Sequence, residues 1–282
     1  DEVPGTTIDR QCGSSQQAVH FAAQAIMSGT MDVVAAGGVQ TMTQIPIGSA
    51  MTSAQPLGFS DPFSGSKGWV DRYGDVLVSQ FNSAQMMADK WKLSRLDMEV
   101  FALRSHNRAL NAIDKGYFDQ EIAPLNGVVI DETPRITSLE KMAELQPIQE
   151  GGSITAAVSS QTCDGASAVL LVSEEALKRY NLTPRARIAH MSVRGADPIW
   201  MLTAPIPATA HALKKAQMSI HDIDLVEINE AFAPVPMAWL AEMGFDPEKT
   251  NVNGGAIALG HPLGATGTKL KTTLLHELER SK

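Results

Sequence analysis

The sequence predicts an α/β fold of two similar α/β halves, with a loop-rich insertion in the first half. Three observations predict it. An extended run over residues 5–10 gives way to an alanine-rich helix, which leads into the apolar run of residues 31–37. Strand, helix and strand within about 35 residues is the pattern of a right-handed crossover unit. The same alternation returns beyond residue 181, with strand patterns at 187–193 and 224–228 separated by helical ones. Within the first half, residues 41–75 break the rhythm with Gly, Pro, Ser and Met, the texture of a loop region that covers a site.

The bulk composition bounds what such a chain can be. Its 282 residues suffice for about two domains and a sizeable core. A hydrophobic share of 44% with 19% charged residues is ordinary for a globular protein. A net charge of −8 argues against a general nucleic-acid or anionic-membrane binder. The two cysteines, Cys12 and Cys163, cannot build a disulfide framework, and the chain reads as intracellular. No apolar run approaches the roughly 20 residues of a membrane span.

The first helix uses Ala18, Ala22, Ala23, Ala25 and Ile26 in its body and stops at Gly29. Gln16, Gln17, His20 and Gln24 are its polar side chains, so other elements can approach it closely. Residues 31–37 end in Gly37-Gly38 and read as a buried parallel strand. A helix is expected over residues 81–92. A second is capped at Ser94-x-x-Asp97 and stops at Gly116. Residues 118–148, with Pro124, Pro134 and Pro147, read as extended pieces and turns, and residues 168–172 as a strand. Residues 181–187 read as a linker, followed by helices at 207–216, 234–243 and 269–279. The organisation expected is a first half at 1–44 and 151–180, an insertion at 45–150, and a second half at 181–282.

Three turns carry chemistry. Cys12 lies where the extended run becomes the helix, with Gly13 and Ser14 as turn and cap. Unpaired N–H groups and the macrodipole there favour thiolate over thiol. Asn229-Glu230-Ala231-Phe232-Ala233 follows the strand pattern of 224–228, at a strand end that faces a ligand crevice. The third turn, residues 253–267, surrounds His261 with five glycines and sets Pro262 beside it. His106, His190, His211, His221 and His276 read as structural residues. A Cys with a His partner is the minimum set for covalent acyl transfer, because the imidazole takes the thiol proton and then polarises the acyl oxygen. Asn229 supplies an uncharged dipole for a water or an oxyanion. No Cys/His spacing suits a metal, and none is expected.

These residues resemble the thiolase family, the acyl-CoA acetyltransferases and 3-ketoacyl-CoA thiolases. The resemblance rests on Cys12 with Gly13-Ser14-Ser15-Gln16-Gln17-Ala18, on Asn229 to Ala233, and on the Gly254 to Gly264 turn. Phe101-Ala102-Leu103-Arg104-Ser105-His106 in the insertion backs it. The resemblance implies a layered αβαβα fold and a chain that cleaves a 3-ketoacyl-CoA with CoA, or runs the reverse Claisen condensation. It implies that Cys12 carries the acyl group, that His261 is its base, and that His261 and a water on Asn229 form one oxyanion hole. Ser160 matches the serine beside the pantetheine arm of CoA. CoA is then a co-substrate, with no permanently bound cofactor. The partners implied are acyl-CoA, CoA and a second or further copies of the chain, as a homodimer or homotetramer. A bacterial, cytoplasmic reading follows, with peroxisome or mitochondrion as the other compartments.

Three departures qualify the match. Cys163 and Val158 stand where the family has Asn, and Cys163 reads as a packing residue. The family's first strands and its second catalytic cysteine have no counterpart between Asp1 and Lys282, so the chain reads as a fragment. Ser79-Gln80-Phe81 replaces the His-Met pair of biosynthetic members, which points to a degradative enzyme for long or bulky acyl chains, steroid side chains included. The alternatives are a ketoacyl-synthase-like condensing enzyme and a non-catalytic homologue that only binds acyl-CoA.

Overall fold

The computed structural model describes residues 2–60 and 65–281, so residues 61–64 of the expected loop region lie outside the described residues. Helix α1 (Ser14–Met27) follows a 3-10 turn, Gln11–Gly13, and stops at Gly29 with φ 73 as its sequence predicts. Strand β1 (Val33–Gln40) comes next, then α2 (Gln80–Lys90) and α3 (Arg95–Asp114). The capping box expected at Ser94 and Asp97 forms at the start of α3. Strand β2 (Gly165–Val172) precedes α4 (Pro205–Ala216), α5 (Pro234–Met243) and α6 (Thr266–Arg280). The expected loop regions also hold short helices, among them Lys67–Tyr73 and Leu139–Ala143.

The sheet differs from the expected crossover. β1 pairs antiparallel with β2, from Val33 opposite Val172 to Gln40 opposite Gly165. Its inner face carries Val34, Ala36, Val169 and Leu171 against Val19, Ala22 and Ala23 of α1. The other face is open among the described residues, with Val39 67% and Leu170 61% exposed. A continuous apolar run reads as buried on both faces, and here only one face is covered. Residues 5–10 are not part of a strand. Residues 187–193 are not either, and 224–228 holds one parallel bridge, Val226 to Thr250. The apolar alternation there sets which side chains turn inward, and ladder pairing depends on a neighbour that the local sequence does not supply.

Helices α2 and α3 contribute to the core. Met87 of α2 and Met98, Phe101 and Ala102 of α3 share one core with Val158, Phe232, Val235 and Ile257. Further along α3, Ala109 and Ala112 pack on Phe118, Ala258 and Leu259. Helices α2 and α3 therefore hold two of the three chemical turns from behind. Backbone contact brings in the third: a Cβ on Gly38 would collide with Gly264 O, and one on Gly267 with Gln16 N. β1, α1 and the His261 turn meet at these glycines because no side chain intervenes.

Candidate functional site

Cys12 sits in the 3-10 turn ahead of α1 and is half-buried. Gln11 before it adopts φ 48, held by its N–H on Asp9 Oδ1 at 2.9 Å and by Ser14 Oγ on its carbonyl at 2.7 Å. Ser14 is thus the first residue of the helix and bonds back to the turn, whereas the sequence reads it as the cap. Burial pushes the Cys12 thiol above its ordinary range, opposed by its own backbone N–H. This corrects the expectation of a thiolate favoured by the helix dipole. Desolvation is the larger influence on the sulfur, which lies a turn ahead of the α-helix proper, where the helix dipole acts less directly.

His261 is 4% exposed, and its backbone N–H donates to Gln161 O at 2.9 Å. Thr266 Oγ1 donates to Pro262 O at 2.9 Å and lies 2.6 Å from His261 Nδ1. Nδ1 therefore carries the proton and Nε2 is the basic nitrogen. Asn229 Nδ2 lies 3.3 Å from that Nε2. Burial, followed by the charge of Lys269, lowers the His261 pKa to about 4, so the ring is neutral near pH 7. Asn229 Oδ1 is buried and has no hydrogen-bond partner among the described residues.

The Asn229 turn is placed by pairing with residues 249–251. Val226 N–H donates to Lys249 O at 3.0 Å, and Asn251 clasps Ile228 through both amide atoms, at 2.8 and 2.9 Å. Glu230, 1% exposed, then locks the turn to its neighbours. Its carboxylate accepts from Ser105 Oγ at 2.7 Å, Asn251 Nδ2 at 2.9 Å and Ile257 N at 3.2 Å. Burial raises its pKa against these three donors.

Ser160 is half-buried between the two turns. Its N–H donates to Ala231 O at 2.9 Å, and Ala233 N–H donates to Val158 O at 2.8 Å. The Cys12 turn is clamped to the same assembly: Ser15 N–H donates to Gly264 O at 3.2 Å, and Thr268 N–H donates to Ser15 Oγ at 3.1 Å. The structure thus joins the turns of Cys12, Asn229, Ser160 and His261 by direct hydrogen bonds. Cys163 packs on the His261 turn, where a Cβ on Gly260 would lie 2.5 Å from its Sγ. Burial raises its thiol pKa as well.

Sequence reasoning missed Thr266, Gln161 and Arg135. Thr266 lies five residues after His261 inside the glycine-rich turn, a spacing that a helix start makes adjacent. Arg135 Nη1 donates to Gln161 Oε1 at 2.7 Å, and nothing in the local pattern of either residue marks that meeting. Such an arrangement, a half-buried thiol and a neutral imidazole on abutting turns with amide dipoles beside them, suits covalent acyl transfer.

Comparison with known proteins agrees with that chemistry. Two family models cover the chain: Thiolase, N-terminal domain, over residues 1–175, and Thiolase, C-terminal domain, over residues 182–282. The steroid 3-ketoacyl-CoA thiolase FadA6 of Mycobacterium tuberculosis is 62% identical over 284 residues, spanning 99% of this chain and 70% of that protein. The human mitochondrial 3-ketoacyl-CoA thiolase is 40% identical over 290 residues, spanning 99% of this chain and 73% of that protein. The crystal structure of the human mitochondrial 3-ketoacyl-CoA thiolase in complex with CoA has a TM-score of 0.86 at 38% identity, covering 99% of this chain and 73% of that one. The chain belongs to the thiolase family, and its α/β fold is the fold of that family.

Proposed function

We propose that this chain is a degradative thiolase that cleaves a 3-ketoacyl-CoA with CoA through an acyl-cysteine intermediate. Cys12 gives its proton to His261 Nε2 and attacks the 3-keto carbon. His261 and a water held on Asn229 Oδ1 stabilise the resulting oxyanion. The bond between C2 and C3 then breaks, acetyl-CoA leaves as its enolate and takes the proton that His261 Nε2 received, and the acyl group stays on Cys12 as a thioester. The thiol of CoA gives its proton to His261 Nε2 and attacks that thioester, the Cys12 sulfur departs and takes the proton back, and the shortened acyl-CoA is released. Each well-placed oxyanion donor contributes a few kcal/mol to such a step. The observation that carries the reading is the clamp from Ser15 to Gly264 and Thr268, which sets the thiol's turn against that of a neutral imidazole.

CoA is the co-substrate in this reading, supported by the human relative, whose crystal structure is a complex with CoA. Ser160 lines the pantetheine arm, and the exposed Arg135 offers a cation near it. The acyl group is bulky and steroid-derived, as the name of the Mycobacterium relative suggests. Phe81 supports this: it is 40% exposed and stands edge-on to Phe232, with ring centroids 5.5 Å apart, as an apolar wall beside the Asn229 turn. The working form is a homodimer or homotetramer in the cytoplasm. No helix among the described residues is long and apolar enough to cross a membrane.

Mass spectrometry tests the chemistry. Incubation with acetyl-CoA is expected to leave one acetyl group on Cys12, with none in Cys12→Ser and a much slower reaction in His261→Ala. An adduct on Cys163 instead would overturn the assignment. Binding of CoA without any adduct would favour the non-catalytic homologue.

A further inference from the structure

All four hydrogen-bonding groups of Gln161 are engaged. Its backbone N–H donates to Ala256 O at 3.4 Å, and its carbonyl accepts from His261 N at 2.9 Å. Its side-chain Nε2 donates to Ile257 O at 3.1 Å, while Oε1 accepts from Arg135 Nη1 at 2.7 Å. Three of these bonds bracket the short helix Ala256–Leu259 that delivers His261. The fourth reaches out of that assembly to an exposed arginine. Arg135 is itself anchored from behind, its N–H donating to Nδ1 of the buried His106 at 3.4 Å. A line of hydrogen bonds therefore runs from α3 through Arg135 and Gln161 to the backbone of His261.

We infer that Gln161 is a positioning residue for His261, and that through its amide the imidazole's place depends on Arg135. The inference rests on the reading of His261 as the base, but it concerns two residues that never meet the reacting atoms. Removing the amide leaves Ile257 O without its side-chain donor and frees Arg135. The turn then loses its outer brace. A misplacement of about 1 Å at a reacting group is enough to cost roughly a hundredfold in rate, so even partial relaxation is readable.

The test uses S-acetyl-N-acetylcysteamine as acyl donor, because this thioester has no phosphate for Arg135 to bind. Any effect of Arg135 on acylation must then pass through the protein. Single-turnover acetylation of Cys12 is followed by mass for wild type, Gln161→Leu, Arg135→Met and the double variant, with the thermal midpoint of each measured alongside. Expected are a loss of about tenfold in Gln161→Leu, a smaller loss of about threefold in Arg135→Met, and a double variant no slower than Gln161→Leu, the non-additivity of residues in one network. Unchanged acylation in both single variants, or losses that multiply in the double, would overturn the inference. If Gln161→Leu does not fold, Arg135→Met decides the matter with Gln161→Glu, which keeps the arginine contact but sets an oxygen against Ile257 O. Full acylation in both would sink the inference. Failure of wild type to acylate Cys12 at all would instead overturn the functional reading on which the inference stands.

Discussion

Thr266 gives its hydroxyl proton to Pro262 O and meets His261 Nδ1, 2.6 Å away, as an acceptor. That one relationship sets the imidazole tautomer and leaves Nε2 as the nitrogen that faces Asn229. Thr266→Val keeps the shape and removes the acceptor. With Nδ1–H unpaired in a buried place, the variant is expected to lose about 1–3 kcal/mol of stability. Acetylation of Cys12 should slow by about tenfold or more, because the alternative tautomer sets two donors against each other at Asn229. Thr266→Ser should restore most of the rate. Single-turnover acetylation with a denaturation curve checks both effects, and an unaltered rate in Thr266→Val would remove the tautomer argument.

The Cys12 thiol is held above its ordinary range by burial. Alkylation by iodoacetamide requires the thiolate, so its rate against pH reports this directly. The midpoint should lie above the roughly 8.5 of a free cysteine. A midpoint below that value would mean that the helix dipole dominates after all.

Glu230 holds Ser105, Asn251 and the Ile257 N–H in one buried carboxylate. Glu230→Ala leaves those three donors without an acceptor and opens a cavity between the two turns. A loss of about 3–5 kcal/mol is expected, as for breaking a buried charged network, and Glu230→Gln should lose less. Guanidinium denaturation measures the difference. Equal midpoints for wild type and Glu230→Ala would show that the turns stand without this tie.

Two buried histidines make stability depend on pH. His106 and His261 both have folded-state pKa values lowered to about 4, chiefly by burial. Between an ordinary value of about 6.5 and about 4, the unfolded chain takes up protons that the folded chain refuses. Stability therefore falls as the pH drops through that window, by about 2 kcal/mol per histidine at pH 5. The difference in unfolding free energy between pH 7 and pH 5 should shrink by about that amount in His106→Gln. No change in the difference would place the titration elsewhere.

Helices were the most legible part of the chain. The capping pair Ser94 and Asp97, the stop at Gly29 and the opening Pro234 of α5 are local signals, and local backbone chemistry obeys them wherever the helix lies. The strands were less legible, since the apolar runs at 31–37 and 224–228 carry no mark of which neighbour pairs with them. Cys12 and His261 stood out because glycines and small residues surround them, and Asn229 because it ends a strand pattern, whereas Gln161, Arg135 and Thr266 look ordinary in their own stretches.

By itself, then, the sequence determined the family, the helices and the three turns that hold a thiol, an imidazole and an amide. Tertiary structure alone decided that the thiol is desolvated, that the imidazole is neutral with its proton on Nδ1, and that Gln161 joins Arg135 to the backbone of His261. The physical reason is range. Helix caps and glycine turns are read within a few residues by backbone chemistry alone, while burial, tautomer and the Gln161–Arg135 contact depend on which side chains the packed fold sets against one another.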